Sequence, residues 1–238
     1  MGRKGEKPVP PLNLVGDMGG GGMLLITGIL AALLEAGNSG QGQVIDVAMV
    51  DGAAQLMWMF HGFETIGGWD PTQRESNMLD GGAHFYDTYE CADGEYVAIG
   101  SIEPQFYALL KAKAGLSEDD FGDQNNKEKW PEMKQKITEV FLSKTQAEWC
   151  ELMEGSDVCF APVLNFKDAP SHPANVARNT YIEMDGVTQP APAPRFSRTR
   201  SEVAHGVHGL GEDTDAVLGA MGFGEQEIAA LRDGGAIG

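Results

Sequence analysis

The 238-residue sequence predicts an α/β fold, on three observations. Apolar segments with helical spacing alternate with short β-branched runs, an Asp-Gly pair joins two of those runs, and a turn-rich stretch over 67–82 suggests a hinge between lobes. In chain order, residues 1–13 are proline-rich and polar, which reads as a loop. A helix is expected over about 20–36, with Asp17 as its N-cap or N-terminal acid. Gly37 and Asn38-Ser39-Gly40 end it. Residues 43–49 read as a strand, because Val44, Ile45 and Val47 are β-branched. A second helix follows over about 51–63, crowded with Met57, Trp58, Met59 and Phe60.

Beyond the hinge, two strands over 85–90 and 95–100 flank Ala92-Asp93-Gly94, a hairpin signal because Asp and Gly tolerate positive φ. Pro104 suits the first turn of a helix reaching Ala114. Residues 130–142 place Met133, Ile137, Val140 and Phe141 on one helical face. Thr145 and Glu148 form a capping box for a helix to Met153. A strand over 158–164, an extended linker over 189–194 and helices near 214–221 and 225–232 complete the chain.

Apolar content of 42% and charged content of 22% match a folded chain able to bury a core. The net charge of −18 argues against nucleic acid or an anionic membrane as partner. A polyanion such as coenzyme A would need a local basic patch. Arg3, Lys4 and Lys7, and Arg195, Arg198 and Arg200, are the two basic clusters, and solvated surface explains both. Cys91, Cys150 and Cys159 read as free thiols in a reducing compartment, and the acidic charge balance with Ala236-Ile237-Gly238 at the end, which is no peroxisomal tripeptide, suggests the cytoplasm. No Cys pair has CxxC spacing, and His205 with His208 offers too few ligands, so no metal is expected. The apolar run Met23–Leu34 is shorter than the ~20 residues that cross a bilayer, and Asp17 and Glu35 bracket it. It reads as a buried core helix, with no membrane partner.

Chemistry centres on Asp17 and the glycines at 19–22. A carboxylate at a helix N-terminus is favoured in its ionised form. Gly19 and Gly20 would leave backbone N–H groups open to a ligand, suited to a developing oxyanion. An N-cap followed by a flexible turn explains the same residues. The glycines fit neither GxGxxG after a strand nor GxxxxGK[ST]. Glu103 lies where a strand passes into a helix, a place for a functional acid or for helix-end electrostatics. Asp80 and His84 could form a polar pair near a cleft, although Asp80-Gly81-Gly82 also suits a turn. Met49 and Met78, among other methionines, could make an adaptable surface for an acyl chain or simply fill core.

Pro11-Leu12-Asn13-Leu14-Val15-Gly16-Asp17 with its glycine run resembles the active-site segment of α-methylacyl-CoA racemases. Further matches follow in order at 42–50, 77–83, 102–107 and 192–199, so the resemblance covers essentially the whole chain. These racemases belong to the family III CoA-transferase superfamily. The resemblance implies the C-terminal part of that fold: a remnant of a Rossmann-like large lobe with coenzyme A binding and linker helix (1–79), a smaller α+β lobe (80–185) and a segment returning to the large lobe (186–238). It implies epimerisation of 2-methylacyl-CoA thioesters by 1,1-proton transfer through an enolate. Asp17 matches one acid/base, and Glu103 matches a glutamate supporting the other. Gly19, Gly20, Met49, Met78 and Asp80 fall to substrate binding. No cofactor is implied, because coenzyme A is carried by the substrate, and an interlocked homodimer is the implied assembly. The partner base of these racemases is a histidine ahead of the aspartate, whereas the 16 residues before Asp17 hold none. A C-terminal piece is therefore expected. Two rival readings are a family III CoA-transferase with Asp17 as nucleophile and a non-catalytic remnant that binds or oligomerises.

Overall fold

Residues 2–238 are described by the computed structural model, in which the chain divides into two units, Met1–Val163 and Leu164–Gly238. The boundaries expected at 79/80 and 185/186 fall inside these units.

The first unit holds a packed lobe built on one antiparallel sheet. Strands β1 (Tyr86–Glu90), β2 (Tyr96–Gly100) and β3 (Phe160–Val163) pair in the order β1-β2-β3, with Tyr86 opposite Gly100 and Glu90 opposite Tyr96. Gly94 takes φ 82° in the turn between β1 and β2, as the Asp-Gly signal requires. Helix α4 (Pro104–Ala114) begins on Pro104 and stops at Gly115 in the left-handed region. After the short α5 (Glu118–Phe121), α6 (Trp130–Phe141) buries Trp130, Met133, Ile137 and Phe141, at helical spacing. Helix α7 (Gln146–Met153) carries the Thr145/Glu148 capping box, and β3 (Phe160–Val163) closes the sheet. The core is aromatic: Phe141 stacks on Tyr89 at 5.1 Å and meets Trp149 edge-on at 5.0 Å. Each such ring contributes about 1.5–3 kcal/mol through burial.

Residues 14–65 of the same unit are mostly helical and depart from expectation in several ways. A π-helical segment, Leu14–Met23, precedes α1 (Leu24–Ser39), so the helix starts before Asp17 and Asn13 is its N-cap. The second expected helix is broken at Met57 into α2 (Met49–Leu56) and α3 (Trp58–Thr65). Residues 43–48 are not in a ladder, and Val44 is 97% exposed. β-branched residues favour extended backbone, but a strand forms only where another strand offers its N–H and C=O groups. The run Leu14–Ser39 is 26 residues, long and apolar enough by length and composition to cross a bilayer, which corrects the shorter estimate from Met23–Leu34. It is not the buried core helix expected: Leu34 is 70% exposed.

One contact fixes the crossing of the π-helical segment on α2. A Cβ on Gly20 would lie 2.8 Å from the Ala53 backbone nitrogen, and one on Gly52 would lie 1.9 Å from the Gly20 carbonyl oxygen. Two glycines let the backbones touch where any side chain would hold them apart. The N-terminal loop is tied to the packed lobe by charge. Arg3 donates to both oxygens of Asp87 (2.8 and 2.7 Å) and to Glu75 (2.9 Å), and Lys134 pairs with the same two acids at 2.7 and 2.8 Å.

The second unit contains α8 (Pro173–Arg178), the hairpin β4 (Tyr181–Met184) and β5 (Val187–Pro190), and helices α9 (Thr214–Ala220) and α10 (Glu225–Asp233). Asp185 and Gly186 turn the hairpin at φ 52° and 76°. The segment expected as linker from 189 thus begins inside a strand.

Candidate functional site

Asp17 sits on the π-helical segment rather than before it, and its carboxylate is exposed. Among the described residues no hydrogen bond or ion pair holds it. The N–H groups of the glycine run are engaged along the helix axis, five residues back, as in the Met18 bond to the Asn13 carbonyl (3.1 Å). They are not the open donors expected, and close packing accounts for Gly20. Gly19 lies over Leu14 and Leu56, and Met49 covers Gly21, its Cγ 3.2 Å from where a Cβ would stand. Asp17 therefore projects from a helix whose glycine face is packed on α2 and edged by the half-exposed Met49.

Glu103 is the N-cap of α4, extended at φ −71° and ψ 143°. An N-cap acid ordinarily accepts from the N–H two or three residues on. The Glu103 side chain does not cap, is exposed, and has no partner among the described residues. Its backbone is fixed nonetheless, with its carbonyl accepting from Tyr107 at 3.0 Å. Asp17 and Glu103 thus share one property, a free carboxylate on an ordered backbone, and no bond joins them.

Asp80 is placed otherwise. Its carboxylate accepts from the backbone N–H of Asn77 (2.8 Å) and Gly82 (3.2 Å) and from the Asn77 amide (2.9 Å). It closes a turn, and its bonds go to Asn77 and Gly82 while the His84 ring bonds Tyr107, so the two do not form the expected pair. His84 is fully buried, with Nε2 2.8 Å from the Tyr107 hydroxyl, which itself donates to the Phe121 carbonyl (2.9 Å). The hydroxyl has one proton, so Nε2 is the donor in this pair. Nδ1 is then a buried acceptor without a partner, and burial pushes the His84 pKa down to about 4. Met78 packs against the core cluster.

A surface cavity of about 550 Å³ opens on the outer face of the sheet, walled by Arg3, Asp80, Tyr86, Cys159 and Phe160. Burial first, then the charges of Glu103 and Asp157, push the Cys159 thiol pKa up. The lining includes Asp80 but not Asp17, Gly19, Gly20, Met49, Met78 or Glu103. No group of three or more His, Cys, Asp or Glu side chains among the described residues is arranged to hold a metal.

Sequence reasoning missed two groups around Glu103. Gln124 lies in the polar run Gly122-Asp123-Gln124-Asn125-Asn126, which reads as a surface turn, yet it is buried. The hydroxyl of Tyr107 was equally unmarked, although its spacing four residues beyond Glu103 puts it on the first turn of the same helix.

Comparison with known proteins places this geometry. The chain is 46% identical to a Mus musculus protein and 42% identical to a Homo sapiens protein, both named alpha-methylacyl-CoA racemase. Each match covers 97% of this chain and 61% of the relative, so the chain spans 61% of the length of these curated relatives. A crystal structure described as a CAIB/BAIF family protein from Brucella suis superposes with a TM-score of 0.70 at 20% identity, over 93% of this chain and 59% of that one. That likeness bears on the fold alone. The model of CoA-transferase family III matches residues 1–214, and the chain belongs to that family.

Proposed function

We propose that this chain serves the epimerisation of 2-methylacyl-CoA thioesters by 1,1-proton transfer. The observation that carries the reading is its identity of 46% and 42% to two proteins named for that substrate class. Two free carboxylates on ordered backbone are consistent with it. In this reading Asp17 removes or returns the proton at the carbon α to the thioester, and the electron pair is held as an enolate. Glu103 supports the acid/base on the opposite face. His84 is not that second base, because its ring is buried and bonded to Tyr107. The reaction moves a proton and changes no oxidation state, so acids and bases suffice and coenzyme A arrives with the substrate. The assembly in this reading is a homodimer, whose second copy would cover apolar surface of α1 such as Leu30, Leu33 and Leu34.

The family match also favours a second reading, CoA transfer with Asp17 as nucleophile, since a free exposed carboxylate suits either role. One experiment separates them. A single epimer of a 2-methylacyl-CoA is incubated in deuterated water with the chain, alone and co-expressed with the remaining length of the mouse relative. Deuterium at the α-carbon without an acceptor acid, abolished in Asp17→Asn, is the expected result. Transfer of coenzyme A to an added acid without exchange gives the site to the second reading. Neither reaction from folded protein in either preparation removes both.

A further inference from the structure

We infer that Gln124 is the positioning residue for Glu103, gripping the strand-to-helix corner that presents its carboxylate. The inference rests on the proposed role of Glu103. Strand β2 ends at Gly100 and α4 begins at Pro104, so the carbonyls of Ser101 and Ile102 belong to neither a ladder nor a helix. Leaving such groups buried and unpaired is costly, and something must donate to them. Gln124 does so for both: its Nε2 lies 3.0 Å from the Ser101 oxygen and 2.9 Å from the Ile102 oxygen. One amide nitrogen with two N–H groups thus holds the two residues immediately before Glu103.

The grip is itself anchored. Gln124 is 9% exposed, and its backbone carbonyl accepts from the Trp130 indole at 2.8 Å, tying it to the start of α6. Ser101 is fully buried and held from its other sides, its N–H donating to the Phe85 carbonyl (3.0 Å) and its hydroxyl to the Val158 carbonyl (2.5 Å). Beyond Glu103, Tyr107 fixes the first turn of α4 through the Phe121 carbonyl and His84. Ser101, Ile102 and Tyr107 are all bonded, while the Glu103 carboxylate has no partner among the described residues. Such a backbone restraint beneath an unengaged side chain is what accurate placement of an acid requires.

The test compares the full chain with Gln124→Met, which keeps the length and loses both donors, and Gln124→Glu, which sets a carboxylate against two carbonyls. Amide hydrogen exchange is read at Tyr107, whose N–H bonds the Glu103 carbonyl, and at Ile137 and Trp149 in the core. The Trp130 indole signal reports that the loop is in place. About tenfold faster exchange at Tyr107 in Gln124→Met, with Ile137 and Trp149 unchanged, is expected. Where α-proton exchange of the thioester is measurable, kcat falls about tenfold with KM unchanged. Unchanged exchange at Tyr107 in both variants, or equal acceleration throughout the core, overturns the inference. So does a faster Tyr107 with kcat intact. Local acceleration where neither the chain nor its co-expressed preparation exchanges the thioester proton sustains the anchor and removes the proposed reaction, so the two failures are distinct.

Discussion

Two regions of the first unit use similar residues and end differently. Residues 83–158 bury Phe85, Ile137, Phe141 and Trp149 almost completely, whereas over 14–66 the buried positions are Gly20 and Gly52. The helical stretch is no less apolar, with Leu24, Leu25, Ile26, Ile29, Leu30, Leu33 and Leu34 all exposed. The difference lies in what packs against each. In the packed lobe three strands and four helices cover one another, while α1 presents its leucines to solvent. Helices of this length gain most of their stability from tertiary packing rather than from propensity. The packed lobe therefore carries its own stability, and residues 14–66 depend on a surface beyond their own helices.

The sharpest test of that comparison is a cavity in the packed lobe. Phe141→Ala removes the ring that Tyr89 stacks on and Trp149 abuts. It should cost about 3–5 kcal/mol in urea unfolding. Leu34→Ser, on the exposed face of α1, should change the same transition by less than about 0.5 kcal/mol while lowering self-association in sedimentation. A large loss in Leu34→Ser would mean that the helix is already covered, and the comparison would collapse.

A second way in is pH. His84 is buried neutral with its pKa pushed down to about 4 from 6.5. In the unfolded chain the ring takes up a proton as pH falls through about 6.5, while the folded ring resists until about 4. Its contribution is therefore complete above that upper value and is lost as pH drops between the two, a change of about 3 kcal/mol. His84→Phe should flatten the stability of the packed lobe over this window, measured by near-ultraviolet dichroism at Trp130 and Trp149. An equal slope in the variant would assign the acid sensitivity to other groups.

These two regions also differed in how far the sequence revealed them. In the packed lobe the deciding signals are local. Pro104 starts α4, Thr145 and Glu148 cap α7, and Asp93-Gly94 turns the hairpin, so the elements expected there fall within two residues of those observed, and only the four-residue α5 was not foreseen. The same Asp-Gly signal at 185–186 went unread because Pro190, Pro192 and Pro194 made the following segment look like a linker. Residues 43–49 show the opposite failure: β-branching is visible in sequence, but the partner strand is not. At the site, residue type and motif selected Asp17 and Glu103. That Asp80 turns back on Asn77 and His84 inward to Tyr107 depended on side-chain direction, which spacing in a loop does not set. Gln124 was hidden because its bonds to Ser101 and Ile102 span more than twenty residues.

The Gly20–Gly52 contact offers a smaller effect confined to the helical stretch. In Gly20→Ala the new methyl would meet the Ala53 nitrogen at 2.8 Å, and neither backbone can yield without parting the helices. A loss of about 1–3 kcal/mol is expected, read as faster amide exchange across α2 with Ile137 and Trp149 unchanged. Acceleration in both regions would show that they unfold as one.

The smallest expected effect lies at the link between the regions. Arg3 and Lys134 share Asp87 and Glu75, so Arg3→Met leaves both acids with Lys134 as a cationic partner. Arg3 is 41% exposed at its side chain, and a pair so open to water contributes at most about 1 kcal/mol. The loss should shrink as salt rises, because screening acts on exposed charge. Proteolysis near the N-terminus should quicken even where the unfolding midpoint barely moves, since Arg3 holds a loop rather than a core. A loss well above that bound, insensitive to salt, would instead make this cluster part of the packed lobe and move the border between the two regions to the start of the chain.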